Sequence, residues 1–241
     1  LMLTGNASRV AAQGGTIVSH APVRAHWSVR FARDVAILSG PAIAVVVTLA
    51  IAWEMRGTPL TMFDGVLSPR NVPELYPSNW LTLGHAIVPV IFLIANLVNR
   101  RYGDNYAIAH VLASWGLVAL MTIATILQLD ARLPLLGGDG PGLRVAAAFF
   151  GAMILGQLAG SFVFDRTRGV IWWQAPLYSA LTSSFVAMFL FYPLAYIGDG
   201  WLWLNHMSVD AGVKAAMSFA LLAPYFLLRP IVRPSGGLGG F

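Results

Sequence analysis

Six apolar stretches, at 35–53, 81–98, 107–127, 145–164, 177–197 and 212–232, alternate with shorter polar segments along the chain. A helix rises 1.5 Å per residue, so about 17–25 apolar residues cross the roughly 30 Å of bilayer hydrocarbon. In hydrocarbon the backbone must satisfy its own hydrogen bonds, so each stretch predicts an α-helix. The expected fold is all-α, a polytopic integral membrane protein with about six transmembrane helices. Gly40-Pro41 should kink the first span or shorten its start, and Pro193 falls near the end of the fifth. The connections at 54–80 (Pro59, Pro69, Pro73, Pro77) and 128–144 (Pro134, Gly137-Gly138) predict surface loops, with room for short interfacial helices. The chain therefore divides into a basic N-terminal segment at 1–34, a six-helix domain at 35–233 and a Gly-rich tail at 234–241.

Composition agrees. The 241 residues are 57% hydrophobic and 10% charged, against about 25% charged in a soluble domain. Without cysteine, disulfides, thiolate metal sites and cysteine nucleophiles are excluded. No phosphate-binding glycine loop, metal-ligand cluster or catalytic triad is visible, so no catalytic or metal residues are assigned and no enzyme is expected. No cofactor is expected beyond bound lipid. The net charge of +5 lies in short arginine clusters between apolar runs rather than along one stripe, which argues for topology and against a nucleic-acid partner.

Those clusters orient the spans. Arg9, Arg24, Arg30, Arg33, Arg100, Arg101, Arg166, Arg168, Arg229 and Arg233 fall on one side, and Arg56, Arg70, Arg132 and Arg144 on the other. Both termini are therefore expected on the cytoplasmic side of a bacterial inner membrane or the matrix side of a mitochondrial one. The acid-free opening stretch has the composition of an organellar presequence remnant or a basic cytoplasmic tail. Trp53, Trp80, Trp172, Trp173, Trp201 and Trp203 lie near predicted helix ends, where amphipathic rings favour the interface.

Polar residues inside spans invite functional readings, because they are costly in hydrocarbon. Asn96 and Gln157 are candidates for substrate contact or for interhelical hydrogen bonds worth about 1 kcal/mol each. Asp210 and Lys214, at the expected start of the sixth span, form an i,i+4 pair able to neutralise itself near the interface. His85 and His110 would be the ligands of a haem or pigment, or else simple core histidines. Gly151, Gly156 and Gly160 are helix-packing candidates, the last two forming a G-x-x-x-G pattern that lets backbones approach.

Three segments together carry a family resemblance: VPVIFLIANLVNRRYG at 88–103, LGQLAGSFVFDRTRGVIWWQAP at 155–176 and SVDAGVKAAMSFALLAP at 208–224. In order and spacing they resemble the queuosine precursor transporter family, also called the VUT family of vitamin uptake transporters, over roughly residues 80–230. That family imports a deazaguanine precursor of a modified tRNA base through a six-helix inner-membrane fold. The resemblance implies functional weight for Tyr102, Gln157, Arg166, Arg168, Trp172, Trp173, Asp210 and Lys214. If transport is retained, Asn96, Tyr102, Gln157, Trp172 and Trp173 are the implied substrate-binding residues.

The chain also departs from the family pattern. Intramembrane aspartates that the resemblance implies are replaced by Asn96, Gly160 and Ala187. An asparagine hydrogen-bonds but carries no charge, and glycine and alanine do neither. The expectation drawn from these losses is a transport-inactive, transporter-like accessory subunit of a larger respiratory or photosynthetic membrane complex, with membrane lipids and other subunits as partners. The alternative is a transporter of queuosine precursor or a related purine-like molecule.

Overall fold

A computed structural model describes residues 26–64, 66, 72–126 and 142–235. Eight helices run through them: α1 Trp27–Glu54, α2 Leu83–Ile87, α3 Val90–Tyr102, α4 Asp104–Ile126, α5 Leu143–Thr167, α6 Gln174–Tyr196, α7 Leu202–Ala220 and α8 Leu222–Leu228. With α2 joined to α3 and α7 to α8, they make six spans long and apolar enough to cross a membrane. Among the described residues the extended structure is one isolated bridge, Pro59 to Thr82. The protein is an all-α, multi-pass membrane protein.

The prolines explain where spans break. Pro89 cannot donate to the carbonyl of His85, and the second span divides there into α2 and α3. Thr82 and His85 close the start of α2 as a capping box, with His85 Nδ1 accepting from the Thr82 amide at 3.2 Å. Pro224 likewise cannot donate to Ala220, and α7 gives way to α8 at Leu221. Pro41 behaves differently from expectation. α1 runs unbroken through it and starts at Trp27, well ahead of the apolar run, although its buried residues begin only at Ala42.

The connection after α1 holds four short 3-10 turns, at Met55–Gly57, Thr61–Phe63, Pro73–Leu75 and Pro77–Asn79, matching the interfacial pieces its prolines imply. Most of the second long connection, like the N-terminal segment and the Gly-rich tail, lies outside the described residues. Gly103, at φ 90°, turns α3 into α4. The α6–α7 turn uses Gly198 (φ 100°) and Gly200 (φ 86°). Arg144 reaches from α5 to cap the end of α6, donating to Leu194 O at 2.8 Å and Ile197 O at 2.7 Å.

The core sits among α1, α3, α4, α5 and α6, around Val45, Leu49, Phe92, Val111, Trp115 and Met153. α5 and α6 make the most extensive pairing, and the G-x-x-x-G pattern is its cause. A Cβ on Gly156 would lie 2.6 Å from Ser183 O, and one on Gly160 would lie 2.8 Å from Ser179 O and collide with Ser183 Oγ. Gly151 faces open space and takes no part in this seam.

The sixth span corrects the sequence boundary most. It begins at Leu202, ten residues before the expected 212. Asp210 and Lys214 consequently stand in mid-helix, 1% and 5% exposed, rather than at an interface.

Candidate functional site

On α7, His206, Asp210, Lys214 and Ser218 recur every fourth residue, so they line up along one face of the helix. Lys214 donates to Asp210, and Ser218 Oγ donates to Lys214 O at 2.8 Å. A lone charge at this depth would cost several kcal/mol, whereas an adjacent opposite charge cancels most of the cost. One carboxylate oxygen is thus committed to Lys214. The other, Oδ1, is buried, and the Tyr192 hydroxyl of α6 is within reach to donate to the carboxylate, although no bond of good geometry forms. Tyr192 of α6 and His85 of α2 face the same carboxylate.

Toward the start of α7, lined by Trp80, His85, Tyr192, Tyr196, Asp199, Trp203 and His206 but not by the pair itself, opens a cavity of about 360 Å³. Trp80 stacks on His206 with centroids 4.4 Å apart and meets His85 edge-on at 6.0 Å. The Trp80 indole Nε1 is buried without a partner among the described residues. His85 also lines a neighbouring apolar cavity of about 310 Å³ between α1, α2, α4, α5 and α6. Toward the opposite end of α7, Ser218 shares a small void of about 10 Å³ with Asn96, Pro176 and Tyr225. Tyr225 lines the next void, with Arg100, Arg168 and Trp172. The polar face of α7 therefore leads from the aromatic cavity, through the ion pair, to the arginine-bearing end.

The residues implied for substrate contact do not converge on one pocket. Asn96 Nδ2 donates to Pro176 O at 3.1 Å, and its Oδ1 accepts from Ser179 Oγ at 2.6 Å, tying α3 to α6. Gln157 is buried in the core, where its Oε1 accepts from Trp115 Nε1 at 2.9 Å. Tyr102 packs against Tyr106 at the α3–α4 turn, the rings tilted with centroids 5.5 Å apart. Trp172 packs against Phe226 and beneath Arg229. Trp173 is 36% exposed. Arg168 donates to both the backbone and the side-chain oxygen of Asn99, at 3.0 and 2.9 Å, closing the α5–α6 turn onto α3. Arg166 lies over Phe162. His85 and His110 each make a local contact, to Thr82 and to Ser114 Oγ (3.2 Å) respectively.

The sequence reading missed His206, Tyr192 and Tyr196, and took Trp80 as an interfacial ring rather than a cavity wall. The signal for His206 was present, since it stands four residues before Asp210 and eight before Lys214.

The positions where the resemblance implied aspartates have a common location. Asn96, Gly160 and Ala187 all lie where α3 and α5 meet α6: Asn96 bonds Ser179, Gly160 abuts Ser179 and Ser183, and Ala187 abuts Gly156. In this chain a hydrogen-bonded, tightly packed seam fills that place, and the buried charge is on α7.

These features define a multi-pass helical membrane protein with a polar track enclosed within the bundle. Residues 82–228 match the family described as "Putative vitamin uptake transporter", and the chain belongs to that family. It is 31% identical over 173 residues to the "Probable queuosine precursor transporter" of Haemophilus influenzae, covering 66% of this chain and 72% of that protein. No solved structure matches. These findings overturn the expectation of a transport-inactive accessory subunit, which rested on three replaced acids. Those replacements are accommodated as helix packing, while the chain retains a buried ion pair beside a cavity, and its relative is named as a transporter.

Proposed function

We propose that this protein carries a queuosine precursor, or a related planar purine-like heterocycle, across a membrane. The observation behind this reading is the polar face of α7, on which His206, lining an aromatic cavity, stands one turn from the buried Asp210–Lys214 pair. A flat, N–H-rich ring suits that arrangement. Its faces would stack on the cavity's Trp and Tyr rings, and its N–H edge would donate to Asp210 Oδ1. Lys214 pairs with the same carboxylate, so the site stays neutral overall. Asn96 and Gln157 serve this pathway by holding α3 to α6 and α4 to α5, outside direct contact with the ligand.

The same reading assigns the membrane as a bacterial cytoplasmic membrane or a mitochondrial inner membrane. By the positive-inside rule, the end bearing Arg100, Arg101, Arg166, Arg168, Arg229 and Arg233 faces the cytoplasm or matrix. The aromatic cavity then opens outward, where imported substrate arrives, and membrane lipids are the surrounding partners.

The test is expression in cells that can neither synthesise the deazaguanine precursor nor import it, followed by feeding and measurement of queuosine in tRNA. Queuosine should appear only when the chain is present. Its absence, with the protein demonstrably in the membrane, would overturn the reading.

A further inference from the structure

His85 of α2 lines both the aromatic cavity and the neighbouring apolar one, which share it with Phe191 of α6. The backbone around it is held tightly. The Leu83 amide donates to Thr58 O at 2.8 Å and the Leu60 amide to Leu81 O at 3.0 Å, tying the start of α2 to the connection after α1. Gly84 presses α2 onto α1, since a Cβ there would collide with Ala52 O. The ring itself is pinned at one end. The Thr82 amide donates to Nδ1, and an amide only donates, so Nδ1 carries the lone pair and the ring proton sits on Nε2. That Nε2–H meets no acceptor among the described residues, and unlike Trp80 Nε1 it is not sealed among protein atoms. Asp210, Lys214 and His206 of α7 all face the ring, so this donor adjoins the polar face of α7.

A capping box ordinarily takes Glu or Gln in this place. Histidine fills the same role through Nδ1 and adds an N–H at the far edge of a rigid ring, where helix capping has no use for it. We propose that His85 is a specificity-determining residue of the transport pathway, whose Nε2–H donates to a carbonyl oxygen of the ligand. On the transport reading, on which this assignment rests, the substrate class narrows to planar heterocycles that carry a ring carbonyl, as a deazaguanine does. A ring without that oxygen leaves the donor desolvated and unpaired when it enters. Unpaired polar groups of this kind are what give hydrogen-bonding sites their discrimination. Because the tautomer is fixed before the ligand arrives, the donor is preorganised and needs no rearrangement on binding.

The test is equilibrium binding to purified full-length protein in mild detergent. The probes are a deazaguanine precursor and its thiocarbonyl analogue, in which sulfur replaces the ring oxygen and every N–H is kept. Sulfur is the weaker acceptor, so the wild type should bind the carbonyl compound about tenfold more tightly. His85→Gln and His85→Glu have the same shape and both keep an acceptor for the Thr82 amide, but only Gln keeps an N–H. The Gln variant should retain a preference for the carbonyl compound, and the Glu variant should bring the two affinities within about twofold of each other. If His85 served only as a cap, both variants would keep the wild-type ratio. If the Glu variant does not fold, His85→Leu, which lacks the donor and adds no charge, takes its place. Equal affinity of the wild type for the two compounds, binding of neither, or a wild-type ratio preserved in the Glu or Leu variant would overturn the proposal. Binding is read without uptake, which separates the two readings. Preferential binding without uptake into proteoliposomes counts against transport and leaves the role of His85 in place, whereas uptake without the preference counts against His85 alone.

Discussion

The Lys214 ammonium ends on the Asp210 carboxylate one helical turn behind it, and both groups are buried in the middle of α7. Neither charge has another ion-pair partner among the described residues. Removing one leaves the other unpaired at membrane depth, so Lys214→Met should destabilise the protein by roughly 3–5 kcal/mol. Asp210→Asn combined with Lys214→Met removes both charges and should recover most of that loss. Thermal unfolding in detergent of the single and double variants checks the difference.

Glycine at position 160 is required by the α5–α6 approach, and glycine at 151 is not. Gly160→Ala places a methyl group against the Ser179 carbonyl and the Ser183 hydroxyl, which should cost about 1–3 kcal/mol. Gly151→Ala meets open space and should be neutral or stabilising by up to about 1 kcal/mol through helix propensity. Parallel melting curves of the two variants test the assignment.

Asn96 bonds across to α6 with both ends of its amide. Asn96→Ala should lower stability by about 1–3 kcal/mol, the range for leaving buried partners unmatched. Asn96→Asp, which restores the acid implied by the family pattern, loses the donor to Pro176 O and should also destabilise. A gain of stability or of uptake in Asn96→Asp would show that the α3–α6 seam has been misassigned.

Much of the fold was legible because a lipid-facing helix announces itself by length and apolar content. The failures occurred where helices face a polar interior. Asn205, His206 and Asp210 interrupt the apolar run, so the first turns of α7 resembled a loop, although His206 lines the cavity and Asp210 forms the ion pair inside the bundle. Pro41 could not be weighed from sequence alone: it lies in the stretch of α1 ahead of its first buried residue, and the helix absorbs it. The pairing of Asp210 with Lys214 followed from their spacing. Their burial, and the approach of Tyr192 and His85 to them, depend on elements far apart in the chain. The replaced acids misled for a related reason, since the residue types recorded a lost charge but not the close helix contact that fills its place.

The aromatic cavity and the exposed aromatic face make opposite predictions for uptake. Trp80 stacks in the cavity wall, whereas Trp173 is exposed beside Tyr178 at the start of α6. Stacking of a base on an aromatic ring is worth about 1–3 kcal/mol, so Trp80→Ala should weaken apparent substrate affinity about tenfold or more. Trp173→Ala should leave it within about twofold, as an exposed substitution outside the pathway. Concentration-dependent uptake by the two variants, corrected for the amount of protein in the membrane, separates them.

The most direct test is uptake of a radiolabelled deazaguanine precursor into proteoliposomes containing the wild-type protein or the Asp210→Asn/Lys214→Met variant. The wild type should take up label that excess unlabelled precursor displaces, and the double variant, folded but without its buried carboxylate, should lose most of that uptake. Wild-type vesicles no more permeable than protein-free ones, or a double variant transporting at the wild-type rate, would contradict the account.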